Sequence, residues 1–479
     1  MRLYNTIATR VRVAVGISTV ALIPLLGACS SVTDNLLEAV DPDLITPENA
    51  NSAEGALALY NGALGRLKTI TGGSGGEGST WLFGGLLADE WSTSSTFVQN
   101  DETDQRSIAI NNSTVNGMYR QLARARTSST EAIRGMKTWR ATETTRIAEL
   151  YFVRAFAEMQ LANDFCNGIP LSGQDSTGAL IYDTPHPVAY VFQKAIESAD
   201  SGLALVPSSV TAAGDLLVRR ALLVTKARAL VGLGQITEAA ALVTTAAVPS
   251  TFTYDITYAT SSGDITLWAQ PASSRRYTIG DSLEGRSRNL FVKNAIPFFT
   301  AQDARVTARY TVSTNGKDTT ISQDGLTPSR TTTLWSRSTS VAAINGLDAR
   351  LIEAEGKLKA NDIPGMMTIL NALRATPPKL GEVQPTAAQL PPLATPATQD
   401  AAINLFFREK AFWEFGRGFR LGDMRRLIRQ YGRTADQVFP VGQHYRGGNY
   451  GVHVNLPVTQ SEENNPELAG KPACIDRNA

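Results

Sequence analysis

Apolar residues recur at a period of about 3.6 along several stretches of the chain, which indicates amphipathic α-helices. The clearest stretch is 143–163, where one side of the helix is formed by Ala148, Phe152, Ala155, Phe156 and Met159. An Asn-Gly-Ile-Pro run at 167–170 is typical of a helix end. The same pattern predicts further helices at about 50–68, from about Pro187, and at 401–413.

Two helix pairs are joined by short turns that contain glycine. In the first pair, 216–231 is followed by a Gly-Leu-Gly turn and then by 238–243. In the second, 347–358 is followed by an Asn-Asp-Ile-Pro-Gly turn and then by 366–373. Such a pair is the unit of a tetratricopeptide-type solenoid. We therefore predict a mainly α fold with a tetratricopeptide-like helical repeat core, interrupted by long loop-rich insertions and a few short strands.

The longest interruption of the helical pattern is 251–340, which is rich in Ser and Thr and contains scattered aromatic residues. Short alternating runs such as 308–312 predict small strands there. Residues 376–399 are rich in Pro and Ala without a period, and they are predicted to form a surface loop. Long loops in a compact protein are usually functional, so the ligand site is expected among them.

The N-terminal segment has the pattern of an export signal. Arg2, Arg10 and Arg12 precede an apolar run at 13–26, which is too short to span a bilayer as a helix. The run ends in Leu-Gly-Ala-Cys, which is similar to a bacterial lipobox. We predict a lipoprotein signal peptide at 1–28 and lipid attachment at Cys29; an ordinary signal peptide with an incidental cysteine is the alternative.

Charge and composition then exclude several classes of protein. The chain has 479 residues, with 45 basic and 44 acidic side chains, and loss of 1–28 would leave 42 basic and 44 acidic ones. A chain without a basic excess is not expected to bind nucleic acid. Three His and three Cys in the whole sequence argue against a structural zinc site, and no metal site is predicted.

Two cysteines remain if Cys29 carries a lipid, namely Cys166 and Cys474. Because an exported chain enters a compartment that permits disulfides, we expect these two to be bonded. Two separate buried thiols are the alternative.

Candidate catalytic patterns are weak. Residues 72–76 spell a G-x-S-x-G sequence, but they lack the buried strand that a nucleophile elbow requires. The histidines His186, His444 and His453 form no metal-binding motif. Neighbouring carboxylates occur at 89–90 and at 353–355, and a glycosidase would need such a pair across a sugar. Helix capping and ordinary solvation explain each of them more simply, so we predict no catalytic residue and no cofactor.

Aromatic residues beside polar groups suggest a binding protein instead. Sugars stack on flat aromatic faces, while amides and carboxylates bind their hydroxyl groups. The candidate ligand-binding residues are Trp91, Trp81, Trp268, Tyr277, Trp335 and Asn100. Trp81, Trp91 and Phe97 surround a Ser/Thr-rich stretch, and Trp91 is the first choice; packing in the core is the alternative. Trp139 and Trp413 lie on predicted helices and are expected in the core.

Five segments in order resemble motifs of the SusD/RagB family of surface lipoproteins. They are Gly84–Glu90, Arg146–Pro170, Gln302–Val306, Leu351–Glu355 and a C-terminal segment with Glu409, Lys410, Gly418, Arg420, Asp423 and Arg426. In that last segment Trp413 and Arg417 occupy positions that are usually acidic, and Glu414 lies one residue away. We therefore expect a structural ion-pair network there, rewired locally.

The resemblance implies a single domain at 29–479, with an N-terminal part at 29–250, the insertion at 251–340 and a C-terminal part at 341–479. It also implies a lipid-anchored protein of the outer membrane, facing the cell exterior. Such a protein captures an oligosaccharide or a peptide and delivers it to a partner TonB-dependent, SusC-like transporter, without catalysis. A surface lipoprotein that hydrolyses glycans or peptides on the same scaffold is the alternative.

Overall fold

A computed structural model describes residues 51–73, 79–175, 177–313, 319–468 and 474–479. The predicted signal peptide at 1–28 and Cys29 lie outside these residues, as do the last three positions of the G-x-S-x-G pattern. Within the described part, no helix combines the length and the hydropathy that crossing a bilayer requires.

The described residues form fourteen α-helices and ten short strands, which confirms the mainly α class. The helices are α1 (Ala53–Ile70), α2 (Thr80–Leu87), α3 (Val98–Asp104), α4 (Ser113–Trp139), α5 (Thr144–Asp164), α6 (Val188–Leu203), α7 (Ala213–Gly232), α8 (Ile236–Leu242), α9 (Thr266–Trp268), α10 (Gly346–Lys359), α11 (Ile363–Ala375), α12 (Gln399–Trp413), α13 (Arg420–Tyr431) and α14 (Ala435–Val438). The strands are β1 (Trp91–Thr93), β2 (Gly173–Gln174), β3 (Leu180–Ile181), β4 (Thr253–Ile256), β5 (Tyr277–Ile279), β6 (Leu283–Glu284), β7 (Leu290–Phe291), β8 (Ala308–Tyr310), β9 (Arg330–Thr332) and β10 (Val341–Asn345).

Helix boundaries follow local capping chemistry. The Ser52 side chain accepts a hydrogen bond from the Gly55 backbone N at 3.0 Å, so α1 begins at Ala53. α10 begins with a capping box, in which Asn345 and Asp348 each accept a backbone hydrogen bond from the other. These caps satisfy amide groups that have no partner within the helix.

Both predicted helix pairs are present, as α7 with α8 and as α10 with α11. They are separated in sequence but adjacent in space, because α8 packs against α10. A Cβ atom added to Gly356 would lie 2.7 Å from the Cβ of Ala240, so glycine permits this close approach. The insertion therefore leaves the helical stack after α8 and returns to it at α10.

The strands form five two-stranded antiparallel sheets, β1–β5, β4–β10, β2–β3, β6–β7 and β8–β9. Two of these sheets join distant segments: β1–β5 joins residues more than 180 positions apart, and β4–β10 joins the two ends of the insertion. The predicted strand at 308–312 is confirmed as β8. These small sheets attach the insertion to the helical core.

A disulfide joins Cys166 to Cys474, which confirms the predicted pairing. Next to it, the Cys166 backbone N donates to the Leu456 carbonyl at 2.9 Å, and the Ile475 N donates to the Asn167 carbonyl at 2.8 Å. The C-terminal segment is thus fixed to the end of α5 by both covalent and backbone bonds.

Candidate ligand-binding surface

Phe97 is exposed at the surface, beyond the end of β1 and next to the start of β5. In this sheet Trp91 pairs with Ile279 and Thr93 pairs with Tyr277. Beyond β1, the Ser94 N donates to the Arg276 carbonyl at 3.0 Å, and the Asp324 N donates to the Ser94 carbonyl at 3.1 Å. Three segments, 94–101, 275–277 and 321–327, therefore meet here together with Arg446; we name this region the Phe97 surface.

Phe97 lies directly before α3 and is 47% exposed. Its backbone N donates to the Ser95 side chain at 3.1 Å, which fixes the turn that presents the ring. The Arg276 guanidinium carbon lies 3.8 Å from the ring centroid, so a cation–π contact holds the ring in place. An ordered, half-exposed aromatic ring of this kind can stack on the apolar face of a ligand.

Charged groups are also part of the Phe97 surface. Arg446 lies 3.3 Å from an Asp101 carboxylate oxygen and 3.5 Å from one of Asp324, and it also donates to the Ser95 carbonyl. The Asp101 side chain is 30% exposed and accepts from the Thr93 hydroxyl at 2.8 Å. Burial raises the pKa of this carboxyl group, and the Thr93 hydrogen bond and the Arg446 charge oppose that rise. The surface thus offers both donors and acceptors next to an aromatic ring.

The structure places Trp81 and Trp91 in the core, both with 0% exposure. The Trp81 ring centroid lies 5.9 Å from that of Phe419, and the Trp91 centroid lies 5.1 Å from that of Phe415. Protein atoms surround both indoles, so neither presents a face to a ligand in this conformation. Packing in the core, the alternative weighed for Trp91, is what the structure shows.

Tyr277 and Asn100 are brought together, but as partners of each other. Both are buried, and the Asn100 side chain hydrogen-bonds the Tyr277 hydroxyl. Burial raises the pKa of Tyr277 above its ordinary value. These two buried residues support the Phe97 surface, and little of their own surface is exposed to a ligand.

The other tryptophans differ in exposure. Trp268 is half-buried in α9, with the Arg337 guanidinium 6.0 Å from its ring. Trp335 is 7% exposed and lies 6.3 Å from Trp91, ring to ring, beside a separate cavity. Trp413 is buried as expected, whereas Trp139 is 48% exposed, because α4 ends there at the surface.

Phe97 was noted beside the Ser/Thr-rich stretch but was not among the candidate ligand-binding residues, and neither were Arg276, which contacts its ring, and Arg446. The signal for Phe97 was local: an aromatic residue between Ser95 and a polar helix that has few apolar positions to bury. No local signal pointed to Arg446, which reaches this surface across more than 340 residues of sequence.

The neighbouring carboxylates considered as catalytic candidates are engaged in structural hydrogen bonds and ion pairs. Glu90 accepts from the Gly416 N at 2.9 Å, and Asp89 accepts from the Ile296 N at 2.9 Å. Glu353 lies 2.6 Å from Arg350, and Glu355 pairs with Arg426. Among the described residues, no group of three or more His, Cys, Asp or Glu side chains could hold a metal ion.

Comparison with known proteins identifies the fold. No family model matches the sequence, and no curated protein matches it. A SusD-like carbohydrate-binding protein from Bacteroides fragilis is 15% identical with a TM-score of 0.62, over 87% of this chain and 99% of that one. Surface glycan-binding protein A from Bacteroides uniformis is 14% identical with a TM-score of 0.61, over 88% and 99%. A SusD/RagB family protein from Bacteroides thetaiotaomicron is 11% identical with a TM-score of 0.59, over 86% and 95%.

The chain has the SusD fold. Within this SusD fold, the C-terminal segment contacts each of the other four motif segments. Arg420 donates to the Ala88 carbonyl at 2.7 Å, and Arg425 donates to the Ala162 carbonyl at 3.0 Å. Glu409 accepts from Arg305 at 2.8 Å, and Glu355 accepts from Arg426 at 2.5 Å. The resemblance therefore came from segments that pack together.

The ion-pair network expected in the C-terminal segment is present in this SusD-fold protein. Arg417 donates to Asp348 at 2.7 Å, and Glu414 pairs with Arg228 and lies 3.8 Å from Lys410. The basic residue at a usually acidic position thus has a carboxylate partner on α10. The network joins α7, α10, α12 and α13, which is a structural role.

Proposed function

We propose that this chain is a surface-exposed lipoprotein that captures an oligosaccharide and delivers it to a TonB-dependent transporter of the SusC type. In this proposal residues 1–28 are removed, Cys29 carries the lipid anchor, and the mature protein faces the exterior of the outer membrane. The protein binds its ligand without converting it. A glycan is favoured over a peptide because two proteins of similar structure are described as carbohydrate-binding and glycan-binding.

The observation that carries the proposal is the Phe97 surface. Its ring is half-exposed and held by Arg276, and Asp101 and Arg446 supply polar groups beside it. A pyranose stacked on the ring would cover apolar area, while its hydroxyl groups would bond to the carboxylate and the guanidinium. This combination of one flat apolar face and converging polar groups is what recognition of neutral sugars requires.

The test uses the soluble protein without residues 1–29, first on a glycan array and then by titration calorimetry. Phe97→Ala should weaken binding about tenfold or more, because covering a phenylalanine side chain contributes about 1.5–3 kcal/mol. Trp139→Ala is the matched control. Trp139 is 48% exposed, and it lies at the far end of α4, about 40 Å from the end next to α3.

Two results would contradict this proposal. The first is equal glycan affinity for Phe97→Ala and the unmodified protein. The second is release of reducing ends from a bound glycan, which would favour the hydrolase. Co-purification of the lipidated protein with a TonB-dependent transporter tests the partner separately.

A further inference from the structure

A run of large apolar side chains is exposed to solvent on the β2–β3 hairpin. Leu180, Ile181 and Tyr182 are 62%, 52% and 47% exposed. Successive residues of a strand point to opposite sides, so neither side of β3 packs against the core. Single exposed apolar residues are common on soluble proteins, but three in a row indicate a surface that a partner covers.

Trp139 is exposed close to this hairpin. Arg134, five residues earlier on α4, donates to the Gln174 carbonyl at 3.1 Å, and Gln174 pairs with Leu180 across the hairpin. Five residues correspond to about 7.5 Å along a helix, so Trp139 lies at the neighbouring end of α4. We name Trp139 and residues 180–182 the hairpin patch.

The helix beside the hairpin patch is basic. α4 contains five Lys and Arg residues and one acidic residue, Glu131. Arg124 and Lys137 are exposed on it. Asp175 and Asp183, on either side of β3, offset part of this charge, so the region as a whole is weakly basic. Aromatic and aliphatic side chains flanked by Lys and Arg are typical of a surface that binds the headgroup region of a bilayer.

The chain enters α1 beside the hairpin patch. Arg140, which follows Trp139, donates to the Ala53 carbonyl at 2.7 Å at the start of α1. Cys29, the proposed lipid attachment residue, precedes Asn51 by 22 residues, which span at most about 75 Å. In the proposed function, the end of the body with Trp139 is therefore the end attached to the bilayer.

The Phe97 surface lies at the other end of α4. The Asn112 side chain, which caps the start of α4, donates to the Gln99 carbonyl in α3 at 3.1 Å. The 27 residues of α4 correspond to about 40 Å. A bilayer at the hairpin patch thus leaves the Phe97 surface open to the exterior.

We propose that the hairpin patch binds the headgroup region of a bilayer that contains anionic lipids, and that this contact orients the anchored protein with the Phe97 surface away from the membrane. The apolar side chains of the patch insert among the headgroups, and Arg124 and Lys137 lie at the lipid phosphates. Because the anchor holds the body near the bilayer, even a weak contact is populated. The inference rests on the proposed function as a lipid-anchored protein, and it adds a second contact with the membrane.

The first experiment measures sedimentation of the soluble protein without residues 1–29 together with lipid vesicles. One set of vesicles contains phosphatidylcholine and phosphatidylglycerol in equal parts, and the other contains phosphatidylcholine alone. The protein should bind both sets, about threefold more tightly with phosphatidylglycerol, because the region is only weakly basic. Ile181→Ser and Trp139→Ala should each weaken binding about fivefold or more, since each removes part of the apolar contact.

Phe291→Ser is the matched control and should bind vesicles as the unmodified protein does. Phe291 is 69% exposed on the β6–β7 hairpin, whose Gly285 approaches Tyr445 on the side of the Phe97 surface. Lys137→Gln should reduce the preference for phosphatidylglycerol and leave binding to phosphatidylcholine unchanged.

The second experiment places the mature lipidated protein in vesicles that contain brominated lipid. Bromine quenches the fluorescence of nearby indoles, so quenching should occur at Trp139, and Trp139→Phe should abolish it. Unchanged vesicle binding by Ile181→Ser and Trp139→Ala, or an absence of quenching, would refute the inference.

Two other results would replace the bilayer by a protein. Loss of transporter co-purification in Ile181→Ser, with vesicle binding intact, would assign the hairpin patch to the transporter. A dimer in solution that Ile181→Ser dissociates would assign it to a second copy of the chain.

Failure of the inference can be told apart from failure of the proposed function. If mass spectrometry finds the lipid on Cys29 and glycans bind in a Phe97-dependent manner, but the hairpin patch does not bind vesicles, only the inference is wrong. If Cys29 carries no lipid, the anchoring part of the proposed function is wrong, and vesicle binding by the soluble protein still decides the inference.

Discussion

The buried carboxyl group of Glu90 makes the stability of this protein depend on pH. Glu90 is fully buried next to β1, where one carboxyl oxygen accepts from the Gly416 N and the other has no hydrogen-bond partner among the described residues. Burial raises its pKa to about 8, from an ordinary value of 4.5. Between these two pH values, the folded chain keeps a proton that the unfolded chain releases. The stabilising contribution of Glu90 is therefore complete below about pH 4.5 and is lost as the pH rises to about 8.

Glu90→Gln should remove this dependence, because an amide does not ionise. The variant should gain stability relative to the unmodified protein as the pH rises from 5 to 8, by up to about 1.4 kcal/mol for each pH unit. Thermal unfolding at several pH values measures the gain. Glu197→Gln, at a side chain that is 51% exposed, is the control and should show a constant difference. Parallel pH curves for Glu90→Gln and the unmodified protein would contradict the prediction.

Residue type alone could not separate stacking aromatics from core aromatics. Trp91 precedes a polar stretch, just as a ligand-binding residue would, yet Phe415 and Trp335 from distant segments cover it. Phe97, six residues later, is exposed. The difference arises from tertiary contacts, which a local pattern does not contain. By contrast, the Cys166–Cys474 pair could be predicted, since after Cys29 is set aside only one pairing remains.

At the level of elements, the connection between α12 and α13 depends on two glycines. Gly416 and Gly418 have φ values of +68° and +71°, which lie in the left-handed region. A Cβ atom on Gly418 would lie 2.1 Å from the Trp81 ring, and one on Gly416 would lie 2.5 Å from the Trp335 ring. The glycines therefore provide both the turn and the space for two indoles.

Gly418→Ala should destabilise the protein by about 2–5 kcal/mol, because backbone strain and overpacking against Trp81 act together. Gly432→Ala isolates the first effect. Gly432 has a φ of +68°, but no atom of the described residues lies within 4 Å of its added Cβ, so we expect a loss of about 1 kcal/mol there. Urea unfolding of both variants compares the two. Equal losses would show that contact with Trp81 contributes nothing.

Helices were predicted more completely than strands, for a physical reason. An amphipathic helix contains its own hydrogen bonds and shows its buried side in sequence, as α5, α7 and α10 do. A strand of two or three residues needs a partner elsewhere, and β1 finds β5 more than 180 residues away. A helix was predicted at Trp139, but the extent of the long helix α4 was not, although its buried residues Val115, Met118, Leu122 and Ala125 follow a helical period.

On the scale of the whole molecule, the N-terminal and C-terminal parts share one core. Trp81 packs on Phe419, and Trp91 packs on Phe415 and on Trp335 from the insertion. One hydrophobic cluster includes residues from α1 through to Val458. The three parts of the sequence, with boundaries at 250 and 340, thus contribute residues to the same hydrophobic core.

A fragment of residues 51–340 should therefore lack a stable fold. It would expose Trp81 and Trp91, which lose their partners on the C-terminal part, and burial of such side chains is the main source of stability. Circular dichroism during heating should show no cooperative transition for the fragment and one for residues 30–479. A sharp transition in the fragment would show that the N-terminal part folds by itself.

The shared core also affects how soon folding can be completed after synthesis begins. Cys166 and Cys474 are 308 residues apart, and at about 5–20 residues per second the second follows the first after roughly 15–60 s of synthesis. Throughout that interval Cys166 is a thiol without its partner, and Phe415 and Phe419, which pack on Trp91 and Trp81, are synthesised only in its last fifth. Folding therefore cannot be completed before the last tenth of the chain, which contains Cys474, has been synthesised.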